Sequence, residues 1–97
     1  MPLFCVRRHF PGASERDLDA AASRSLSCVV WFDGMRWLRS YWDAASEETL
    51  CIYEARSKGD IVAHAERSQI PCNEISEVTE ILPERFEMSA ATDSLPA

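Results

Sequence analysis

Apolar and polar positions change their spacing several times along the chain, and each change marks an element. Leu3, Phe4, Cys5 and Val6 form a short apolar run closed by Arg7, Arg8 and His9 and then by Pro11-Gly12, which predicts a strand over 3–9. Ser14 suits a helix N-cap, and Glu15 and Asp17 place negative charge at the positive end of the helix dipole. Leu18, Ala21, Ala22, Ser25, Val29 and Phe32 then recur at helical spacing, so residues 15–32 read as an amphipathic helix, with Gly34 suited to a left-handed cap behind it. Met35 to Trp42 reads as a second strand and Thr49 to Ala55 as a third, joined as a hairpin by the polar stretch 43–48. Ser57 opens a second helix, with Ile61, Val62 and Ala65 as its stripe, running to about Gln69 before Pro71. Ile75 to Leu82 is the fourth strand. From residue 84 onward the pattern loses its period, so 84–97 is expected to be a flexible tail behind a domain of 1–83.

Strand, helix, strand, strand, helix, strand is the split βαβ pattern. Right-handed crossovers turn it into a ferredoxin-like α+β sandwich, a four-stranded antiparallel sheet in order 4-1-3-2 with both helices on one face. In the second strand Met35, Trp37 and Tyr41 share one parity and Leu38 and Trp42 the other, so both faces read as apolar. Helices cover one face. Large aromatics on the other predict a surface sealed by a second copy, a homodimer.

At 97 residues the chain makes one small domain, and such domains gain stability from pairing. The formal net charge of -6 repels phosphate backbones, and the arginines are scattered, so nucleic acid is not an expected partner. No run approaches the ~18–20 apolar residues that cross a bilayer, and no secretory pattern opens the chain, so the expected compartment is the cytoplasm. Cys5, Cys28, Cys51 and Cys72 stand alone without a C-x-x-C, which fits free thiols. No phosphate loop or dinucleotide fingerprint occurs, so no nucleotide cofactor is expected.

Met1-Pro2-Leu3-Phe4, Arg8-His9-Phe10-Pro11-Gly12, Cys51-Ile52-Tyr53-Glu54-Ala55, and His64-Ala65 followed by Pro71, Ile75 and Val78 together resemble a family of small bacterial ferredoxin-like proteins, whose best described members are dimeric nickel-binding proteins. The likeness runs from residue 1 to about 82, and Cys51, Tyr53, Glu54 and His64 match its pattern. Ile70 departs from it, standing before Pro71 where the pattern usually has glycine. The resemblance implies a homodimer holding nickel(II) or another divalent transition metal through histidine nitrogen and several oxygens, some from water.

Three residues are the metal candidates. His64 lies beside the apolar stripe of the second helix and reads either as an imidazole ligand or as a core histidine satisfied by one hydrogen bond. His9 closes the first strand, where the fold brings Glu48 and Asn73 or Glu74 near it. It reads either as a ligand with hard oxygens beside it or as a solvated strand end. Glu54 reads either as a ligand or buried base, or as a cross-strand partner of Arg7, Arg8 or Arg39. Cys51, among Leu50, Ile52 and Tyr53, reads as a small hydrophobe. The expected function is metal binding or homeostasis by a homodimer. The alternative is a dimeric α+β barrel enzyme of the cofactor-free monooxygenase or isomerase kind. Its pocket would lie near His64, lined also by Trp37, Tyr41 and Tyr53, and would need at least about 300 Å³.

Overall fold

Alternation in the first strand fixes the frame of the molecule. In the computed structural model, which describes residues 1–87, β1 spans Leu3–His9. Its Phe4, Val6 and Arg8 are buried, while Leu3, Cys5 and Arg7 are half-buried on the opposite side. The remaining elements are α1 (Glu15–Cys28), a 3-10 turn (Val29–Trp31), β2 (Arg36–Asp43), β3 (Glu48–Glu54), α2 (Lys58–Ser68) and β4 (Glu74–Val78). The strands form one antiparallel sheet in order β2-β3-β1-β4, which is the predicted order read from the other edge.

Both helix starts are where the sequence placed them. Ser14 Oγ accepts the Asp17 N–H while the Asp17 carboxylate accepts the Ser14 N–H, and Ser57 Oγ accepts the Asp60 N–H. The end of α1 differs from expectation. α1 stops at Cys28 rather than 32, because β-branched Val29 and Val30 follow and the chain tightens into the 3-10 turn before Phe32 becomes extended. Gly34 does adopt a left-handed conformation (φ 73°), but in the turn into β2 and not as the helix cap. A Cβ there would stand 2.7 Å from Met1 Cε. Gly34→Ala is therefore expected to cost about 1–2 kcal/mol, chiefly through the backbone, read as a lower urea midpoint. At the end of α2, Gln69 takes the left-handed seat (φ 56°), and the Ile70 N–H returns to the Ala65 carbonyl. Ile70 is thereby carried into the interior.

Phe4, Val6, Met35, Cys51, Tyr53, Ala55 and Ile61 form the core, between the sheet and the helices. β4 is shorter than predicted, ending at Val78 instead of Leu82. Residues 84–87, expected in the tail, close a helical turn in which the Phe86 N–H bonds the Pro83 carbonyl. The rest of the expected tail, 88–97, lies outside the described residues.

The largest departure is in β2. Trp37 pairs with Tyr53, yet Arg39 pairs with Ile52, so one extra residue, Leu38, is inserted between them. This bulge reverses the facing of everything after it. Trp37, Ser40 and Trp42 lie opposite Tyr53, Cys51 and Thr49 on the helix side, while Arg36, Arg39 and Tyr41 share the open side with Glu54, Ile52 and Leu50. The expected grouping of Trp37 with Tyr41 is thus corrected. The open face carries a single large aromatic, Tyr41, among smaller apolar groups.

Candidate functional site

On the helix side β1, β3, α1 and α2 converge on four polar side chains. Arg8 follows Phe4 and Val6 inward and is only 2% exposed. Its Nη1 donates to the Pro71 carbonyl at 2.6 Å and its Nη2 to the Tyr53 hydroxyl at 3.4 Å. The Tyr53 hydroxyl shares a short hydrogen bond with Ser25 Oγ. His64 is fully buried, with Nε2 2.9 Å from the Ser25 carbonyl. An N–H must stand at Nε2 to make that bond, which leaves Nδ1 as a bare acceptor, buried and without a partner among the described residues. The ring packs edge-on to Phe32 at 5.9 Å and tilted against Tyr53 at 5.3 Å. Burial lowers the His64 pKa, the Arg8 charge adds to this, and the Ser25 bond opposes it. Burial likewise raises that of Tyr53, against the pull of Arg8. Both groups are neutral around pH 7.

A cavity of about 70 Å³ opens beside this cluster, between α1 and the sheet, with Arg8, Ser25 and Tyr53 on its wall. Trp37 also lines it, whereas His64 does not, and Tyr41 lies on the opposite face of the sheet. The space is well below the ~300 Å³ of a usual substrate pocket. A larger hollow of about 340 Å³ lies elsewhere, between Lys58 and Val62 of α2 and Glu74 of β4. Neither of these two spaces is the large cavity against His64 that the enzyme reading requires. Cys51 is buried with Sγ 3.4 Å from Thr49 Oγ1, and burial raises the pKa of Cys5 and Cys72.

The open face is built differently. Leu3, Cys5, Leu50, Ile52 and Val78 are half-buried along its middle, and Tyr41 stands exposed at one side. Ion pairs frame them: Arg7 with Glu48 at 3.4 Å and Glu74 at 4.0 Å, Arg36 with Glu54 at 3.9 Å, and Arg39 with Glu80 at 2.9 Å. Such exposed pairs contribute little stability each. The last one spans the sheet, since β2 and β4 are opposite edges and Glu80 lies just beyond β4.

The three metal candidates occupy three separate places. His9 is exposed at the end of β1 on the open face, in a row with Glu48 of β3 and Asp43 of β2. Asn73 is close, as expected, its Oδ1 accepting the His9 N–H at 2.8 Å. Glu54 is on the same face opposite Leu3, six residues back along β1 and so ~20 Å from His9. Its ion-pair partner is Arg36, not Arg7, Arg8 or Arg39. His64 is on the other side of the sheet, behind the core. The Glu48 carboxylate is held by Arg7, and that of Asp43 accepts the Ala45 and Ser46 N–H groups, which lower its pKa. Among the described residues no three His, Cys, Asp or Glu side chains gather into a group able to hold an ion.

Arg8, expected as a cross-strand partner of Glu54, and Ser25, expected as a stripe position of the first helix, instead meet at Tyr53 in this cluster. The signals were present: Arg8 has the parity of Phe4 and Val6, and Ser25 falls on the apolar stripe of α1.

The family model described as nickel responsive protein SCO4226-like matches residues 4–78. The crystal structure of SCO4226 from Streptomyces coelicolor A3(2) superposes with a TM-score of 0.73 at 22% sequence identity, covering 82% of this chain and 99% of that one. No curated protein matches. At that identity the structural likeness speaks for the fold.

Proposed function

The chain belongs to the SCO4226-like family of nickel-responsive proteins, and from that premise we propose that it binds nickel(II) or a similar divalent ion as a homodimer, acting in metal binding or homeostasis. The observation behind this reading is the open sheet face, half apolar and framed by ion pairs, with the His9 imidazole standing exposed at one end. A single chain does not fit a complete site, because its candidate donors are dispersed. Two chains remove that difficulty. If two open faces pack with their strands antiparallel about a two-fold axis, His9 of one copy lies opposite Glu54 of the other, and the ~20 Å that separates them within one chain is closed. One imidazole with carboxylate and water oxygens is a donor set suited to a borderline divalent ion. His64 belongs to the fold in this reading. Its buried ring orients α2 against α1 and does not reach the face.

Calorimetric titration with nickel chloride, paired with sedimentation, tests the proposal. Wild-type protein is expected to bind the ion and to sediment as a dimer. His9→Ala is expected to weaken binding by more than about tenfold, a loss that outer-shell partners alone can produce, while His64→Gln leaves it unchanged. Nickel affinity indifferent to His9 and Glu54, or equally strong in a monomer, ends the reading.

A further inference from the structure

Arg8 is a buried cation with no counter-charge among the described residues. Among the described residues no carboxylate lies within 4.0 Å of its guanidinium, whereas Arg7, Arg36 and Arg39 of the sheet are each paired with an acid. Burying a charge is costly unless it is paired and hydrogen-bonded. A guanidinium has five N–H donors. Here one meets the Pro71 carbonyl, just past the end of α2, and another makes a long contact with Tyr53. Carbonyls at a helix end represent about half a negative charge at most, and Arg24 already draws on those of Ser68 and Gln69. The positive charge of Arg8 therefore stays largely unmatched.

The cavity of about 70 Å³ lies against this cation. The space exceeds the ~10–15 Å³ that one water needs several times over, so it takes a small molecule. Its wall is mixed. Arg8 with the Tyr53 and Ser25 hydroxyls is polar, Leu18, Ala22 and Trp37 are apolar, and Ser40 and Thr49 also line the space. We infer that this cavity binds a short-chain monocarboxylate, its carboxylate oxygens accepting from the Arg8 guanidinium and its alkyl tail lying against Leu18, Ala22 and Trp37. Arg8 is the one charged residue on this wall, which suits a single negative charge better than a phosphate or a dicarboxylate. The planar fork of arginine matches a carboxylate. This site is on the helix side of the sheet and owes nothing to the metal reading of the open face.

The test uses metal-free full-length protein, with sodium butyrate as the probe and sodium chloride and butyramide as comparators. Ligand binding to the native state alone raises the melting temperature with ligand concentration. Butyrate is expected to raise it and to give a saturable calorimetric isotherm, whereas butyramide and equimolar chloride do neither. Arg8→Met is expected to weaken butyrate binding at least about tenfold by removing the charged donor. Ala22→Leu, which fills the cavity and leaves Arg8 in place, is expected to abolish binding, so the result does not depend on Arg8→Met folding. Equal responses to butyrate and chloride, or butyrate binding that survives Ala22→Leu, overturn the assignment.

Discussion

Replacing Ile61 by alanine is expected to lower the unfolding free energy by about 2–5 kcal/mol, read as a fall of about 1 M or more in the urea midpoint. Ile61 is fully buried, set by α2 into the core made by Phe4, Val6 and Tyr53. Truncation removes its transfer free energy and leaves a void that close-packed neighbours fill only in part. The loss is a large fraction of the roughly 5–15 kcal/mol that holds a domain of this kind together. The adjacent Val62 provides the contrast. It is 41% exposed, and Val62→Ala should move stability by no more than about 0.5 kcal/mol. Equal effects from the two substitutions would mean that α2 does not dock on the sheet by this face.

The second large effect is acid sensitivity centred on His64. Unfolded, the imidazole titrates near 6.5; folded, burial holds its pKa below that. Between the folded value and pH 6.5 the unfolded chain binds more protons, so stability falls as the pH drops through this window and is unaffected by this group above it. A single proton sets an upper limit to the slope of about 1.4 kcal/mol per pH unit. The reason is local: a second proton would go to Nδ1, which has no partner among the described residues, on a ring already close to the Arg8 charge. Urea unfolding across pH 5–8 measures the slope, and His64→Gln should flatten it while His9→Ala leaves it in place. The carboxylates of Asp17 and Asp43, whose pKa values are lowered from 3.8 by N–H bonds to Ser14 and to Ser46 and Ala45, act in the same direction only at lower pH. A flat profile from pH 7 to 5 would show that the imidazole charges freely in the native state.

Much of this architecture was legible because local signals agreed. The capping serines, Ser14 and Ser57, and the breaks at Pro11-Gly12 and Pro71 mark where elements begin and end, and the βαββαβ order leaves few sheet arrangements open. Parity also worked where the pleat was regular: it sets Phe4 and Val6 inside and brings His9 to Glu48. It failed at β2, because the inserted Leu38 has no turn residue or charge to announce it, and every facing assignment beyond it inverted. It was not applied to Arg8, because a charged residue at a strand end reads as solvated until the interior is seen to hold it. His64 shows a further limit. Helical spacing put it at the margin of an apolar stripe, but whether a margin faces metal, solvent or core depends on α1, which covers it from a distant part of the chain.

The bulge in β2 also bears on how this chain avoids sticking to itself in the wrong way. An edge strand is a ready template for accretion, and the usual hazard is one that can slide to a new alignment at little cost. Shifting β2 by a single step along β3 would expel Trp37 and turn Arg39 and Tyr41 toward the helix side, so the hairpin has one favoured phase. The kink that comes with an extra residue breaks the straight row of amide groups that a growing fibril needs, and the strand offers a neighbour a poor surface for lengthwise stacking.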